Sequence, residues 1–253
     1  MRFRGLLVLG GFALTMGVSH QAMGAACPAV DNGAMDDDGL ANGIITISNG
    51  GAADTFGTPT DTTGWACGGL TFLVKAGATL TIPQDLTNTG FVGKLIADEV
   101  LVEPGGVISS DGLGCAGGTN AANGSGLDGS AECAVSATGA GASADPAQGG
   151  AYGGISGANT GRYGPAMAPE LWGSGGAGFG GAGDNGGAGG GVVSLELLTG
   201  VGRLINNGVI RANGVAGANN GGGGSGGSVY VNALIAQGAG TFEAKGGAGG
   251  GTG

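Results

Sequence analysis

The chain has 253 residues, of which 66 are glycine and only 10% are charged, and its formal net charge at pH 7 is −10. The glycine content is well above the usual level of about 7%, yet the Gly-x-y period of collagen is missing and proline is scarce. The positive mean hydropathy argues against a disordered chain, and the abundant glycine argues against helices. An acidic chain with few basic residues is also a poor candidate for nucleic-acid binding.

The N-terminal 25 residues have the three parts of a secretory signal peptide. Arg2 and Arg4 form a basic start, residues 5–18 are apolar, and small residues follow. The apolar run is shorter than the ~20 residues that span a bilayer, so we expect a secreted or cell-surface protein without a membrane span. Removal of residues 1–25 takes away both arginines and the only histidine, His20, which changes the net charge from −10 to −12. Histidine-dependent catalysis and histidine-containing zinc sites are then excluded.

Four cysteines remain in the exported chain: Cys27, Cys67, Cys115 and Cys133. An even number of cysteines in an oxidising compartment indicates two disulfides. The sequence allows three pairings, and we expect sequence neighbours to pair, Cys27 with Cys67 and Cys115 with Cys133, so that each bond closes its own region. A four-cysteine metal site is the alternative, but no pair has the C-x-x-C spacing typical of such sites. We expect no metal and no other cofactor.

Short apolar or β-branched segments, bounded by glycine, asparagine or proline, predict strands along most of the chain. No segment has the 3.6-residue apolar period of a helix with its caps. The predicted strands are, in chain order, residues 44–47, 70–74, 78–82, 94–97, 100–102, 192–198, 204–206, 209–212, 228–234 and 241–244.

A seven-residue frame, Gly-x-apolar-x-small-x-Gly, occurs at residues 106–112, 208–214 and 240–246. The strand period of two places the apolar residues of the three frames, Ile108, Ile210 and Phe242, on one face. Units of this size bury a common core only when they stack on one another. The sequence therefore predicts an all-β fold, a right-handed parallel β-helix or solenoid, with a β-sandwich as the alternative.

Each frame is followed by a glycine-rich run, at residues 112–191, 214–227 and 246–253. All three runs leave the predicted stack at the same corner, so we expect them to gather on one side. Glycine-rich chains pack as polyproline-II strands when no side chains separate their backbones. A flexible tether is the alternative, since long unstructured loops occur as linkers.

The predicted organisation has four parts: a signal peptide (1–25), N-terminal β-helix rungs (26–111), a lateral glycine-rich insertion (112–191) and C-terminal rungs (192–253). The last frame runs into glycine without an evident cap, and solenoid ends need caps. We therefore expect either that the C-terminal rungs are truncated or that a partner covers them. Self-association through this open rung is one such arrangement.

Several motifs resemble one group of proteins. The motifs are residues 100–112, Tyr163-Gly164, Pro169, Gly173-Ser174-Gly175-Gly176 and residues 186–192. They resemble the glycine-rich, adhesin-like β-helix modules of large secreted or surface proteins of bacteria. The glycine-rich part also resembles the lattices of phage tail-tip adhesins and of some receptor ectodomains. The resemblance covers most of residues 70–253, implies a structural or adhesive role, and brings no catalytic residues with it.

Four aromatic residues of the glycine-rich insertion are the predicted binding residues: Tyr152, Tyr163, Trp172 and Phe179. Aromatic side chains commonly supply contact area for sugars and protein partners. The alternative is that they pack together as a small core between the glycine-rich segments. The predicted function is an exported, non-enzymatic structural or adhesive module that presents a rigid surface to polysaccharide, matrix or another copy.

The rival prediction is a polysaccharide-active hydrolase or lyase in which Asp98, Glu99 and Glu103 supply paired carboxylates. We prefer a solvated corner here, because Asp98 and Glu99 fall between two predicted strands. Ice binding is a minor alternative, since Thr79 and Thr81 form a single Thr-x-Thr motif.

Two acidic segments are similar to calcium-binding loops. Asp36, Asp37 and Asp38 are consecutive, but no glutamate follows at the spacing of calcium loops. Residues 180–185 are similar to one copy of a calcium-binding nonapeptide, but no further copy follows. We expect solvated turns at both places.

Overall fold

The structure is a computed structural model that describes residues 25–27, 43–48, 65–84, 86, 94–127, 133–135, 148–152, 171–198 and 200–251. The fold is all-β, and the described residues form strands and no helix. Within them there is accordingly no helix long and apolar enough to cross a membrane. The strands are β1 (Ala25–Ala26), β2 (Ile44–Ile47), β3 (Trp65–Val74), β4 (Thr79–Thr81), β5 (Lys94–Val102), β6 (Val107–Ser109), β7 (Ser125–Leu127), β8 (Cys133–Val135), β9 (Val192–Leu197), β10 (Arg203–Asn206), β11 (Val209–Arg211), β12 (Ser228–Ala233), β13 (Ile235–Gln237) and β14 (Thr241–Glu243).

Two sheets contain only parallel strands. Sheet A has eight strands, in which β3 pairs with β1, β2 and β5, β5 pairs with β9 and β10, β9 pairs with β12, and β10 pairs with β13. Sheet B has four strands in the order β4, β6, β11, β14. A separate antiparallel pair joins β7 to β8.

Successive parts of the chain add one layer to both sheets. Layer one consists of β3 and β4, layer two of β5 and β6, layer three of β9, β10 and β11, and layer four of β12, β13 and β14. The long strands of layers one and two each correspond to two shorter strands in layers three and four. This arrangement brings residues that are about a hundred positions apart in sequence into direct register.

The frame predicted from the sequence sets the register of sheet B. Leu80, Ile108, Ile210 and Phe242 are aligned on neighbouring strands. The first three are completely buried, as expected for residues that share the inner face of a sheet. The prediction that Ile108, Ile210 and Phe242 lie on one face is therefore confirmed.

One core lies between the inner faces of sheets A and B. In β3, the alternation of apolar residues places Phe72 and Val74 inside, while their neighbours Thr71 and Leu73 are only partly buried. Each large side chain that is fully buried contributes about 1.5–3 kcal/mol of transfer free energy. The largest of these are Ile45, Ile47, Trp65, Phe72, Leu80, Ile82, Leu95, Ile108, Leu195 and Leu197.

The predicted break between two strands at Asp98 and Glu99 is wrong, because β5 continues through both residues. The irregularity lies in the neighbouring β3, whose register shifts between Cys67 and Thr71. The extra residues of β3 bulge out, and Gly69 N donates a hydrogen bond to Asp98 Oδ1 at 3.0 Å.

Both predicted disulfides are present. Cys27 follows β1 and bonds to Cys67 in β3, across a sequence separation of 40 residues. Cys115 bonds to Cys133 at the start of β8, across 18 residues. The described residues contain no free cysteine.

The glycine-rich runs gather beside the sheets, as predicted. We call the following segments the glycine lattice: residues 113–127, 148–151, 171–191, 212–227 and 244–251. Outside the β7–β8 pair they are not strands, yet they bond to one another through backbone N–H and carbonyl groups. The described parts of the insertion are therefore ordered against each other and are not a tether.

Hydrogen bonds between two lattice segments recur at every third residue. Gly173 N donates to Gly190 O at 2.8 Å, and Gly176 N donates to Gly187 O at 2.9 Å. Between them, Gly175 N donates to a different neighbour, the first residue of β7. The same interval occurs in three further pairs of segments. Gly222 N and Ser225 N donate to Ala177 O and Ser174 O, and Gly224 N and Gly227 N donate to Val215 O and Ala212 O. Gly247 N and Gly250 N donate to Gly224 O and Gly221 O.

The lattice requires glycine because its backbones approach more closely than a Cβ allows. A Cβ at Gly176 would lie 2.1 Å from Gly222 O, and a Cβ at Gly189 would lie 2.0 Å from Gly173 O. Both distances are far shorter than ordinary carbon–oxygen contacts. Most of the packing in this part of the molecule is therefore backbone against backbone.

Candidate binding surface

Three turns lie together at one end of the glycine lattice. We call residues 119–122, 179–185 and 218–220 the turn cluster. Asn120 connects two of the turns, because its backbone N–H donates to Asn185 Oδ1 at 3.2 Å and its side-chain Oδ1 accepts from Gly183 N at 3.3 Å. Asn219 Nδ2 donates to Gly183 O at 3.1 Å and connects the third turn.

Asparagine suits two of these turns for a conformational reason. Asn120 and Asn219 have φ angles of 50° and 46°, and they are the two residues other than glycine with positive φ in the described part of the chain. Asparagine enters this left-handed region more readily than most residues. The turns thus place amide side chains at the exposed end of the lattice.

The turn cluster combines amide groups with one carboxylate and one aromatic ring. Asp184 is its only charged residue, and Asp184 Oδ2 accepts a hydrogen bond from Gly181 N at 3.1 Å within the same turn. Phe179 begins this turn, is partly exposed, and donates from its backbone N to Asp184 O at 2.8 Å. Planar amides bind hydroxyl groups, and an aromatic ring packs against apolar C–H faces.

The four predicted binding residues do not share one environment. Tyr163 lies outside the described residues. Trp172 is 3% exposed and packs with Cys115 and Val192 in a small second core. Trp172 therefore fits the alternative interpretation, a core that holds the lattice together, while the binding role of Phe179 stays a prediction.

Tyr152 is partly buried. Its hydroxyl is 2.7 Å from Ser228 Oγ, and Ser228 Oγ donates to Leu171 O at 2.7 Å. Burial raises the pKa of the Tyr152 hydroxyl above its usual value, although its hydrogen bonds partly oppose this shift. Tyr152 thus joins the lattice to β12 at a partly buried contact.

Gln84 connects the lattice to both sheets, and the sequence analysis did not identify it. Trp172 Nε1 donates to Gln84 Oε1 at 2.8 Å. Gln84 Nε2 donates to Ser110 Oγ at 3.0 Å and to Val192 O at 2.9 Å. No local sequence signal marks this role, because its partners lie 26 to 108 residues away in the chain.

The three carboxylates of the rival enzyme hypothesis bind to neighbouring layers. Glu99 is largely buried and forms an ion pair with Arg203 on the adjacent strand β10. Glu103 accepts a hydrogen bond from Ala76 N at 3.1 Å. Gly69 N in β3 donates to Asp98 in the same way, so each of the three carboxylates bonds to a residue of a neighbouring layer. The described residues hold no group of three metal-ligating side chains.

The threonine motif does not repeat in the next layers. Thr79 is aligned with Val107 and, one strand further on, with Val209. Thr81 is aligned with Ser109 in the same way. Asp36, Asp37 and Asp38 lie outside the described residues.

Comparison of the chain with protein families, with curated proteins and with solved structures found no match.

Proposed function

We propose that this chain is an exported, non-enzymatic structural or adhesive module whose turn cluster contacts polysaccharide or the cell-surface matrix. The observation that carries the proposal is the connection of three turns into one exposed surface by Asn120, Asn219 and Gly183. A surface whose turns are already hydrogen-bonded to one another loses little conformational entropy when it binds a ligand.

The architecture that we propose for this module is a right-handed parallel β-helix with a lateral polyproline-II insertion. The in-register parallel pairing of four successive layers in sheets A and B supports the β-helix. The three-residue interval of the lattice hydrogen bonds supports the polyproline-II assignment, because that helix has three residues per turn.

Polysaccharide is the ligand class that best matches the chemistry of the turn cluster. Sugar rings offer hydroxyl groups to amides such as those of Asn120, Asn185 and Asn219, and offer apolar C–H faces to the ring of Phe179. A strongly charged ligand would need a set of opposite charges, and Asp184 is the only charged side chain in the cluster. A neutral glycan surface therefore fits better than a nucleic acid.

The test uses the exported chain, residues 26–253, in co-sedimentation with a panel of insoluble polysaccharides. We expect the protein to pellet with at least one of them and to release no shorter soluble sugars. Phe179→Ala removes the ring, and Asn219→Gly removes an amide while it allows the positive φ. Each variant should weaken binding about tenfold or more, whereas Val201→Ala, at an exposed residue of another turn, should bind like the original protein.

Three results would contradict the proposal. Release of shorter sugars would favour the polysaccharide-active enzyme and direct attention to Asp98, Glu99 and Glu103. Unchanged binding by both turn-cluster variants, or no binding to any polysaccharide of the panel, would remove the proposed binding surface.

A further inference from the structure

The turn cluster carries three exposed asparagine amides whose orientation is fixed by hydrogen bonds within the protein. Asn120 Oδ1 accepts from Gly183 N at 3.3 Å, and Asn185 Oδ1 accepts from the backbone N–H of Asn120 at 3.2 Å. Asn219 is turned the other way, because its Nδ2 donates to Gly183 O at 3.1 Å. The other polar atom of each amide has no hydrogen-bond partner among the described residues: Asn120 Nδ2, Asn185 Nδ2 and Asn219 Oδ1.

These three atoms form a set of two donor groups and one acceptor. An amide NH₂ group donates hydrogen bonds and accepts none, so Asn120 and Asn185 require acceptors on the ligand. Asn219 Oδ1 accepts, and therefore requires an N–H or O–H on the ligand. Asn120 and Asn219 bond to the two backbone polar atoms of one residue, Gly183, so a donor and the acceptor belong to neighbouring side chains. The ligand group that fits carries an acceptor and a hydrogen close together.

An aromatic ring and a carboxylate belong to the same turn as Asn185. Phe179 is partly exposed, and its backbone N–H donates to Asp184 O at 2.8 Å, which closes the turn directly before Asn185. A methyl group or a C–H face packs favourably on such a ring. Asp184 is largely buried and supplies the only charge of the cluster, so a negatively charged ligand group is disfavoured.

We propose that the turn cluster selects N-acetylated sugars, such as the N-acetylglucosamine units of chitin, among neutral polysaccharides. This inference rests on the proposed polysaccharide-binding function and names its sugar class. An acetamido group has a carbonyl that accepts, an N–H that donates and an apolar methyl group. The carbonyl matches the NH₂ groups of Asn120 and Asn185, the N–H matches Asn219 Oδ1, and the methyl group matches the ring of Phe179.

A hydroxyl in the place of the acetamido group satisfies fewer of these groups. A hydroxyl that accepts from an amide NH₂ must still donate its own hydrogen, and it brings no methyl group to Phe179. The loss of one hydrogen bond together with the methyl contact predicts about tenfold weaker binding of a polymer without acetamido groups.

The test compares chitin and cellulose, two insoluble polymers with the same backbone linkage, in co-sedimentation with the exported chain. Where chitin has an acetamido group on each sugar ring, cellulose has a hydroxyl. We expect the dissociation constant for chitin to be lower than that for cellulose by about tenfold or more. Soluble chitin tetrasaccharide should displace the protein from chitin, and the tetrasaccharide of cellulose at the same concentration should not.

Asn120→Asp and Asn185→Asp reverse the ligand-facing group and keep the bonds inside the cluster. Aspartate retains the oxygen that accepts from Gly183 N or from Asn120 N, but it replaces the NH₂ donor by an acceptor. Aspartate also tolerates the positive φ of Asn120. Each variant should bind chitin about tenfold more weakly. Binding to cellulose should change less, because its hydroxyls donate to the new oxygen.

Asn207→Asp is the matched control. Asn207 is also exposed, and its Oδ1 also accepts from a backbone N–H, that of Ala239 at 3.2 Å. This variant adds the same charge outside the turn cluster and should bind chitin like the original chain. Circular dichroism checks that each variant keeps the fold.

The outcomes separate this inference from the proposed function. Equal or tighter binding to cellulose would overturn the selectivity and leave polysaccharide binding in place. A preference for chitin that both turn-cluster variants retain would overturn the assignment to Asn120 and Asn185. No binding to any polysaccharide would overturn the proposed function and this inference together.

Discussion

Replacing Gly176 with alanine tests whether backbone packing holds the glycine lattice together. The new Cβ would lie 2.1 Å from Gly222 O, and contacts below 3.0 Å do not occur for real Cβ atoms. The segment that contains Gly222 must therefore move by about 0.9 Å or more. That residue accepts from Gly187 N at 2.9 Å and donates to Ala177 O at 2.8 Å, so the movement stretches both bonds beyond useful length.

The expected loss follows from these contacts. Two backbone hydrogen bonds contribute about 1 kcal/mol each, and overpacking of a tight site costs about 1–3 kcal/mol. We therefore expect Gly176→Ala to lower the free energy of unfolding by about 3–5 kcal/mol. This is a large part of the 5–15 kcal/mol that is typical of folded domains.

Gly180→Ala is the matched control, four residues along the same segment. Gly180 is exposed, and a Cβ there would meet no atom within 4 Å. Because alanine restricts the unfolded chain, this variant should be about 0.4–1 kcal/mol more stable than the original protein. Urea unfolding followed by circular dichroism, with the disulfides kept oxidised, measures both changes. Equal unfolding free energies for the two variants would refute the argument from backbone packing.

Three further predictions concern the junctions of the fold. Gln84→Leu removes the hydrogen bonds between the lattice and the sheets, and should lower the free energy of unfolding by about 2–3 kcal/mol in urea. An unchanged midpoint would contradict this role. Replacing Cys115 and Cys133 together by alanine opens an 18-residue loop and should lower the free energy of unfolding by about 3 kcal/mol in the same assay. A loss below ~1 kcal/mol would contradict the argument from loop-closure entropy. Hydrogen bonds from Lys245 and then Asn213 lower the pKa of the Glu243 carboxyl in the folded chain. The ionised carboxyl therefore stabilises the fold at pH values above the pKa of the unfolded chain, and this stabilisation is lost as the pH falls through the pKa of the folded chain. Carbon NMR titration should show this low pKa, Lys245→Ala should raise it, and an unshifted value in that variant would contradict the assignment.

The sequence predicted the all-β fold and the register of sheet B, because the repeated frame and the strand register carry the same information. The two-residue period fixes which side of each strand is apolar, and the flanking glycines fix where each strand ends. Ile108 and Ile210 are aligned as the frame requires. The disulfide pairing was accessible as well, since each bond closes its own part of the chain.

Local signals failed where a neighbouring layer decides the structure. The predicted strand began at residue 70, yet β3 begins at Trp65 and includes Gly68 and Gly69, because β5 runs alongside and holds the bulge in place. Strand β13 was not predicted, since the predicted strand ended at residue 234, although β10 gives residues 235–237 a partner. Glu99 lies inside β5 for the same reason, with Arg203 of the next layer as its counter-charge.

The candidate site shows a similar limit of sequence reasoning. Phe179 was identified by its residue type, but the turn that surrounds it depends on hydrogen bonds to Asn120 and to residues of a third segment. Trp172 was identified by the same criterion and is buried, because Gln84 from a distant part of the chain accepts its N–H. Burial of aromatic residues in a glycine-rich segment depends on which segments adjoin it, and one segment alone does not specify this.

The three-residue interval of the lattice bonds restricts how this sequence can change in length. An insertion of one residue between Gly173 and Gly176 would turn all later N–H groups by about 120°, toward the wrong neighbours. Insertions in multiples of three keep the direction of the N–H groups, but they shift every later glycine relative to the residues that it faces in the neighbouring segments. The turns do not carry the three-residue interval, so a change in their length leaves the phase of the segments unchanged. Length variation in proteins built on this plan should therefore concentrate in the turns, while the segments between them keep a constant number of residues.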